Sequence, residues 1–212
     1  YRRQRQMCIR DRYKYALVIG SEKMSEIVNW KDRSVCVLFG DGAGAVVLKA
    51  VDNNTEDVTG ALVGHERGII DSNIYNDGTG ASVLTGGRRF SDSCSTDIFI
   101  HMDGQEVFKF AVKSVPTAIE TLLHNNNMDI NEVDKFILHQ ANVRIIESVA
   151  KRLKADKDKF PVNLNEYGNT SSASIPILLD ELNRNGSLKQ GEKLVLAGFG
   201  AGLSWGSILL VW

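Results

Sequence analysis

The segment Ser172–Leu182 reads SASIPILLDEL, and its run Ile175, Pro176, Ile177, Leu178, Leu179 leaves a helix apolar nearly all round. A helix without a polar face has to be covered on two sides. A chain of 212 residues offers few elements to do that. The pattern therefore points to a molecule built to be larger than this chain or to pair.

Elsewhere, short β-rich runs alternate with helical patterns from Tyr13 onward, which predicts an α/β chain. The predicted strands are Tyr15 to Ile19, Val35 to Phe39, Ala45 to Val51, Thr59 to His65, Lys135 to Leu138, Lys193 to Ala197 and Ser207 to Val211. Asp71 to Asp97, rich in Gly, Ser, Asn and Asp, predicts a long surface loop. Two amphipathic helices precede the apolar one. In Gln105 to Leu123 the stripe Phe108, Ala111, Val112, Val115, Ala118, Ile119, Leu122 marks one buried face, with Pro116 expected to kink or divide it. In Val143 to Lys154, Ile146, Val149, Ala150 and Leu153 face inward while Arg144, Ser148 and Lys151 lie opposite, flanked by Arg152, giving a basic outer face.

Composition narrows the class. With 43% hydrophobic and 24% charged residues the chain reads as a globular protein, and no window approaches the roughly 20 apolar residues of a membrane span. With no apolar export signal at the N-terminus, a cytoplasmic setting is the default. Cys8, Cys36 and Cys94 are odd in number and share no CxxC, so neither a disulfide framework nor a zinc site is expected. The formal charge of −1 is the balance of an acidic remainder and a basic arm, since residues 1–12 hold five arginines against one aspartate. That arm is compositionally foreign and reads as a disordered tail; binding to nucleic acid is the weaker reading.

Three polar motifs sit at strand and helix ends, where α/β folds place their chemistry. FILHQANVRII puts His139 at the end of an apolar strand with Asn142 within one turn. A lone histidine in such a place is more often a packed core residue, and His65, His101 and His124 are left in that class or on the surface. GNTSSAS, Gly168 to Ser174, can be explained as helix capping for its serines and threonine, but less well for Asn169 beside Gly168. GFGAGLSWG, Gly198 to Gly206, makes a strand-to-strand turn, and its glycines would also let backbone N–H groups approach a reacting carbonyl. FGDGAGAVV nearly matches a dinucleotide fingerprint at Gly40, Gly42 and Ala45, but the residues that follow are strand-like, so a tight turn between strands is expected instead.

Taken together, YALVIGSE, LFGDGAGAVVL, GQEVFKFAV, LHQANVRII, YGNTSSASIP and GFGAGLSWGS resemble the β-ketoacyl-(acyl carrier protein) synthase III enzymes of the thiolase superfamily, from Tyr13 to Trp212. The resemblance implies an αβαβα layered fold, represented by the C-terminal half and a small part of the N-terminal half. It divides the chain into the arm 1–12, the end of the N-terminal half with its long loop at 13–100, and a C-terminal domain at 101–212. It implies an acyltransferase that condenses an acyl-CoA primer with malonyl-carrier protein, with no metal or redox cofactor. His139 and Asn169 would be the catalytic pair that donates hydrogen bonds to the malonyl thioester oxygen, the imidazole being neutral. Ala201 would give a backbone N–H to the acyl-enzyme oxyanion, and Asn142 and Phe199 would line the pantetheine channel. An acidic acyl carrier protein would dock on Arg144, Lys151, Arg152 and Lys109, although a merely solvated face explains any one of them almost as well. The full-length protein would be a homodimer.

The family's nucleophilic cysteine belongs to an ACAGF-like turn that this sequence does not contain. Cys36, in SVCVLF, is expected mid-strand, Cys8 in the arm and Cys94 in the long loop, none in a nucleophile's setting. The chain is thus expected to be a fragment that cannot complete the reaction alone. Two alternatives stand beside this: a related acyl-CoA condensing enzyme of polyketide or quinolone synthesis, and a non-catalytic module that holds a carrier protein.

Overall fold

The computed structural model describes residues 14–50, 67–86 and 99–212. The arm 1–12, Cys8, Cys94, His65 and the strand expected at Thr59 to His65 lie outside them. Among the described residues no helix is long and apolar enough to cross a membrane.

Among the described residues four strands form the main sheet: β3 (Gly68–Asn76), β6 (Lys135–Leu138), β7 (Lys193–Gly200) and β8 (Ser204–Val211), in the order β3-β8-β7-β6. Only β6 and β7 run parallel. One face of this sheet is covered by α1 (Gly104–Asn125) and α2 (Val143–Leu153), whose Ala111, Ile119, Leu122, Ile146 and Val149 pack with Phe136 and Val195 in the largest core cluster. The other face receives α4 (Ser174–Arg184), where Leu178, Leu179 and Leu182 pack against Ile137 and Leu194. Beyond α4 lies the antiparallel ribbon of β1 (Tyr15–Glu22) and β2 (Gly42–Lys49). A short pair, β4 (Leu84–Gly86) with β5 (Ile100–Met102), leads into α1.

The all-round apolar helix thus has a sheet on one side and a ribbon on the other. The second cover is partial: Ile175, Pro176 and Ile177 remain half-buried, beside a cleft of about 880 Å³ between ribbon and sheet lined by Val18, Leu196 and Leu210. The ribbon's outer side exposes Tyr15, Leu17, Ile19 and Val47.

Several expectations are corrected. Val35 to Phe39 is a series of turns rather than a strand. Its Val35 is buried with Met24, Val28 and Ile100, with Cys36 half-buried against them, so the apolar run serves point contacts and Cys36 is not mid-strand. Asp71 to Asn76 belongs to β3 and not to a surface loop. Asn73 is held by the partner strand and by α1: its Oδ1 accepts from the N–H and hydroxyl of Ser207, and its Nδ2 donates to Ala118 O. The stretch 77–86 holds a short 3₁₀ turn and β4, and 87–97 lies outside the described residues.

Pro116 neither kinks α1 into two helices nor ends it. Proline removes the N–H that would bond the carbonyl four residues earlier, that of Val112. The Arg152 guanidinium reaches that same carbonyl at 3.4 Å.

The glycines of FGDGAG do not make a tight turn, because no strand precedes them. They permit close approach. A Cβ on Gly40 would stand 2.0 Å from Tyr167 O, and on Gly42 3.0 Å from Ile177 and Thr170 side chains. The ribbon can therefore lie directly on the start of α4 and on α3 (Leu164–Tyr167), the short helix before it.

Candidate functional site

His139 follows β6 directly, and its N–H bonds Ala197 O at 2.8 Å, extending the β6–β7 ladder by one residue. The ring is thereby fixed at the C-terminal edge of the sheet's parallel pair. It meets the Phe199 ring edge-on, with centroids 5.3 Å apart. Nδ1 lies 2.7 Å from Ser174 Oγ. Burial pushes the imidazole pKa down to about 4, because desolvation penalises the charged form. At neutral pH the ring is uncharged, as the sequence reading required.

Asn169 arrives from a different direction. Its N–H donates to Leu38 O at 2.8 Å and its carbonyl accepts from Gly40 N–H at 3.0 Å, forming a bridge to Phe39. Gly168, at φ +66, makes the turn that allows this, and a Cβ there would press on Leu38 O at 3.2 Å. Asn169 is 9% exposed, and its Oδ1 accepts from Ser171 N–H at 2.9 Å. With the oxygen engaged, the amide NH₂ is the end left to donate.

Both residues line one cleft of about 300 Å³, together with Asn142, Phe199, Gly200 and Ala201. Asn142 also caps α2, its Oδ1 accepting from Arg144 N–H at 2.9 Å, so only its NH₂ remains for a ligand. Ala201 stands in the turn between β7 and β8. Apolar side chains of Ile145, Val107 and Phe108 also line the cleft. His139 also borders a second cavity of about 370 Å³, with Gly198 and Trp205, so the ring stands between two compartments.

The basic face is less uniform than the sequence suggested. Arg144 is exposed, with its guanidinium 5.9 Å from the centre of the Phe108 ring at the cleft, and Lys151 is exposed on the same helix. Lys109 pairs with Glu106 at 2.7 Å, and Arg152 turns to the Val112 carbonyl. Among the described residues no cluster of three or more His, Cys, Asp or Glu is placed to hold a metal ion.

Sequence reasoning missed two features. The serines after Asn169 do not cap α4, whose preceding residue, Ala173, offers no side-chain bond. Ser172 Oγ instead donates to Glu22 at 2.6 Å, and Ser174 turns to the histidine. Gln140, fully buried, ties Leu138 O to Asn163 N–H and so locks the segment before α3 to the strand that carries His139. A hydroxyl at the first turn of an apolar helix was the available signal for Ser174; for Gln140 there was none beyond its place next to the histidine.

Comparison with known proteins places this geometry in a family. Residues 123–212 match the family described as 3-oxoacyl-[acyl-carrier-protein (ACP)] synthase III C terminal, and residues 3–78 match 3-oxoacyl-[acyl-carrier-protein (ACP)] synthase III. The match is therefore not confined to a C-terminal portion. The chain is 45% identical over 206 residues to a β-ketoacyl-[acyl-carrier-protein] synthase III of Clostridium acetobutylicum, covering 94% of this chain and 59% of that protein. It superimposes on the 3-oxoacyl-[acyl-carrier-protein] synthase III of Aquifex aeolicus VF5 with a TM-score of 0.84 at 39% identity, covering 98% of this chain and 61% of that one. The priming β-ketosynthase of the R1128 polyketide biosynthetic pathway gives a TM-score of 0.79 at 33% identity, covering 93% of this chain and 57% of that one. The chain thus spans about three-fifths of the length of the curated relatives it matches.

Proposed function

The chain belongs to the 3-oxoacyl-[acyl-carrier-protein] synthase III family, and we propose that it carries the decarboxylation and condensation machinery of a β-ketoacyl synthase that extends an acyl primer with malonyl-carrier protein. The observation that carries this reading is the shared cleft: a neutral imidazole and a carboxamide with its oxygen already engaged, brought from two distant loops, line one cavity.

A malonyl thioester entering the cleft would set its carbonyl oxygen between His139 and the NH₂ of Asn169. As CO₂ leaves, the electrons of the broken C–C bond pass into an enolate whose oxygen carries the charge, and two fixed donors meet it. Each such donor lowers the barrier by about 3 to 4 kcal/mol, on the order of a hundredfold or more in rate. The enolate carbon then attacks the acyl thioester of the primer, a C–C bond forms, and the cysteine thiolate departs. The electrons come from the malonyl C–C bond, so the step involves no redox change, and acyl-CoA and malonyl-carrier protein enter as substrates. The Ala201 N–H would hold the second oxyanion, with Asn142 and Phe199 against the pantetheine arm.

The acyl-carrying cysteine is proposed to come from a segment outside residues 1–212. Cys36 is half-buried in the turn cluster and is not among the residues lining the cleft. The 1–12, 13–100 and 101–212 division and the homodimer of the full-length protein belong to the same proposal. An acidic carrier protein would dock at Arg144 and Lys151, with Lys109 and Arg152 contributing less because each already has a partner. A polyketide-priming role uses the same chemistry and is favoured by the likeness to the R1128 ketosynthase.

The test joins the chain to the N-terminal segment of its Clostridium acetobutylicum relative and assays condensation of acetyl-CoA and other short acyl-CoA primers with malonyl-carrier protein. Condensation that His139→Ala and Asn169→Ala each abolish supports the reading; condensation that survives both removes the assigned roles.

A further inference from the structure

We infer that Ser174 sets the tautomer of His139: its hydroxyl donates to Nδ1, so that the ring proton resides on Nε2, the nitrogen left for the cleft. Ser174 is the first residue of α4 and is 2% exposed. Its Oγ has two partners among the described residues, His139 Nδ1 at 2.7 Å and the Gln140 N–H at 3.3 Å.

A hydroxyl has one proton to give and two lone pairs to receive. The Gln140 N–H can only donate, so it occupies one lone pair. If Nδ1 also carried a proton, Oγ would accept twice and its own proton would have no acceptor in a buried site, an arrangement that folded proteins avoid. If Nδ1 is bare, Oγ–H donates to it, and all three groups are satisfied. The backbone N–H of Gln140 thus orients the serine, the serine fixes the ring, and Nε2–H, without a partner among the described residues, is free to donate. Because burial keeps the imidazole neutral, one nitrogen alone carries a proton at neutral pH. The loop 168–174 then supplies both the amide donor, through Asn169, and the residue that turns the imidazole into a donor of the same kind.

This inference rests on His139 being the donor proposed above, yet the tautomer can be read without turnover. The experiment is a long-range ¹H–¹⁵N correlation spectrum of the 212-residue chain labelled at histidine, at neutral pH, with His139 identified by the signals lost in His139→Gln. The expected pattern is a pyridine-type Nδ1 and a pyrrole-type Nε2. A pyrrole-type Nδ1 in the wild-type chain, where no substitution can disturb the fold, overturns the inference. In Ser174→Ala, with folding checked from the backbone amides, the Nε2–H form should give way to a mixture or to Nδ1–H, and Ser174→Thr should restore it. A folded Ser174→Ala with the wild-type pattern overturns the role. Should Ser174→Ala fail to fold, Ser174→Cys serves instead: a thiol is a weak donor, so an unchanged tautomer balance again overturns the role. An expected tautomer pattern together with a completed enzyme that does not condense would remove the proposed reaction and leave this assignment standing.

Discussion

Gly20 and Gly44 stand opposite each other in the β1–β2 ribbon, and both face the entry to α4 with no room for a side chain. A Cβ on Gly20 would lie 2.4 Å from Ser172 O, and on Gly44 3.0 Å from both the Ile177 N and the Pro176 side chain. Both would press on backbone, but the approach at Gly20 is the closer, 2.4 against 3.0 Å, so Gly20→Ala should destabilise more than Gly44→Ala, by about 1 to 3 kcal/mol on the scale of overpacked cores. Urea denaturation of the two variants measures this; equal midpoints with wild type would mean that the ribbon does not press on the helix. Gly20→Ala should also disturb the site, since Ser172 lies three residues from Asn169.

The Asn169 side chain separates holding from catalysing. Asn169→Asp keeps an oxygen for Ser171 N–H and replaces the NH₂ with a second oxygen. In the completed enzyme it should lower condensation by roughly a hundredfold or more, with a smaller loss of melting temperature because a carboxylate then occupies a site only 9% exposed. Full activity in Asn169→Asp would show that the amide donates nothing to the reaction.

Acid should weaken the fold through His139. In the unfolded chain an imidazole takes up its proton near pH 6.5, whereas in the folded chain burial delays this to about 4. Between these values the unfolded state holds more protons, so stability falls as pH falls through the window and is unaffected above it. Urea titrations at several pH values should show a smaller fall over that window in His139→Gln. An identical fall in both proteins would mean that the ring titrates freely when folded.

Charge reversal at Arg144 and Lys151 should slow association with an acidic carrier protein by about tenfold or more at low salt and flatten its salt dependence, because such charges steer encounter. Stopped-flow binding reads the rate. No change in rate or salt slope would identify the face as merely solvated.

How far the sequence foretold the molecule depends on where each segment finds its partners. Lys135–Leu138 was legible to the residue, because β6, although last in the sheet order, is buried on both faces, Phe136 and Leu138 in one cluster and Ile137 in the other, and so reads as an unbroken apolar run after Lys135. Gly68–Asn76 was not, because Asp71, Ser72, Asn73 and Asn76 disfavour a strand locally and only pairing with β8 holds them extended. Val35–Phe39 misled in the opposite direction, its apolar residues filling a small cluster from within turns. Pro116 was expected to interrupt α1, and the helix runs through it with Arg152 at the freed carbonyl, a partner 40 residues away in sequence. His139 and Asn169 were legible as a pair through the resemblance, and the residues that orient them were not: the bonds of Ser174 and Gln140 cross between α4, α3 and β6 and leave no local periodicity.

The most direct measurement is a crystal structure of the completed enzyme with a malonyl thioester analogue that cannot decarboxylate. The account predicts a single thioester oxygen within about 3 Å of both His139 Nε2 and Asn169 Nδ2. An analogue bound in the cleft with that oxygen touching only one of the two nitrogens, or neither, would contradict it.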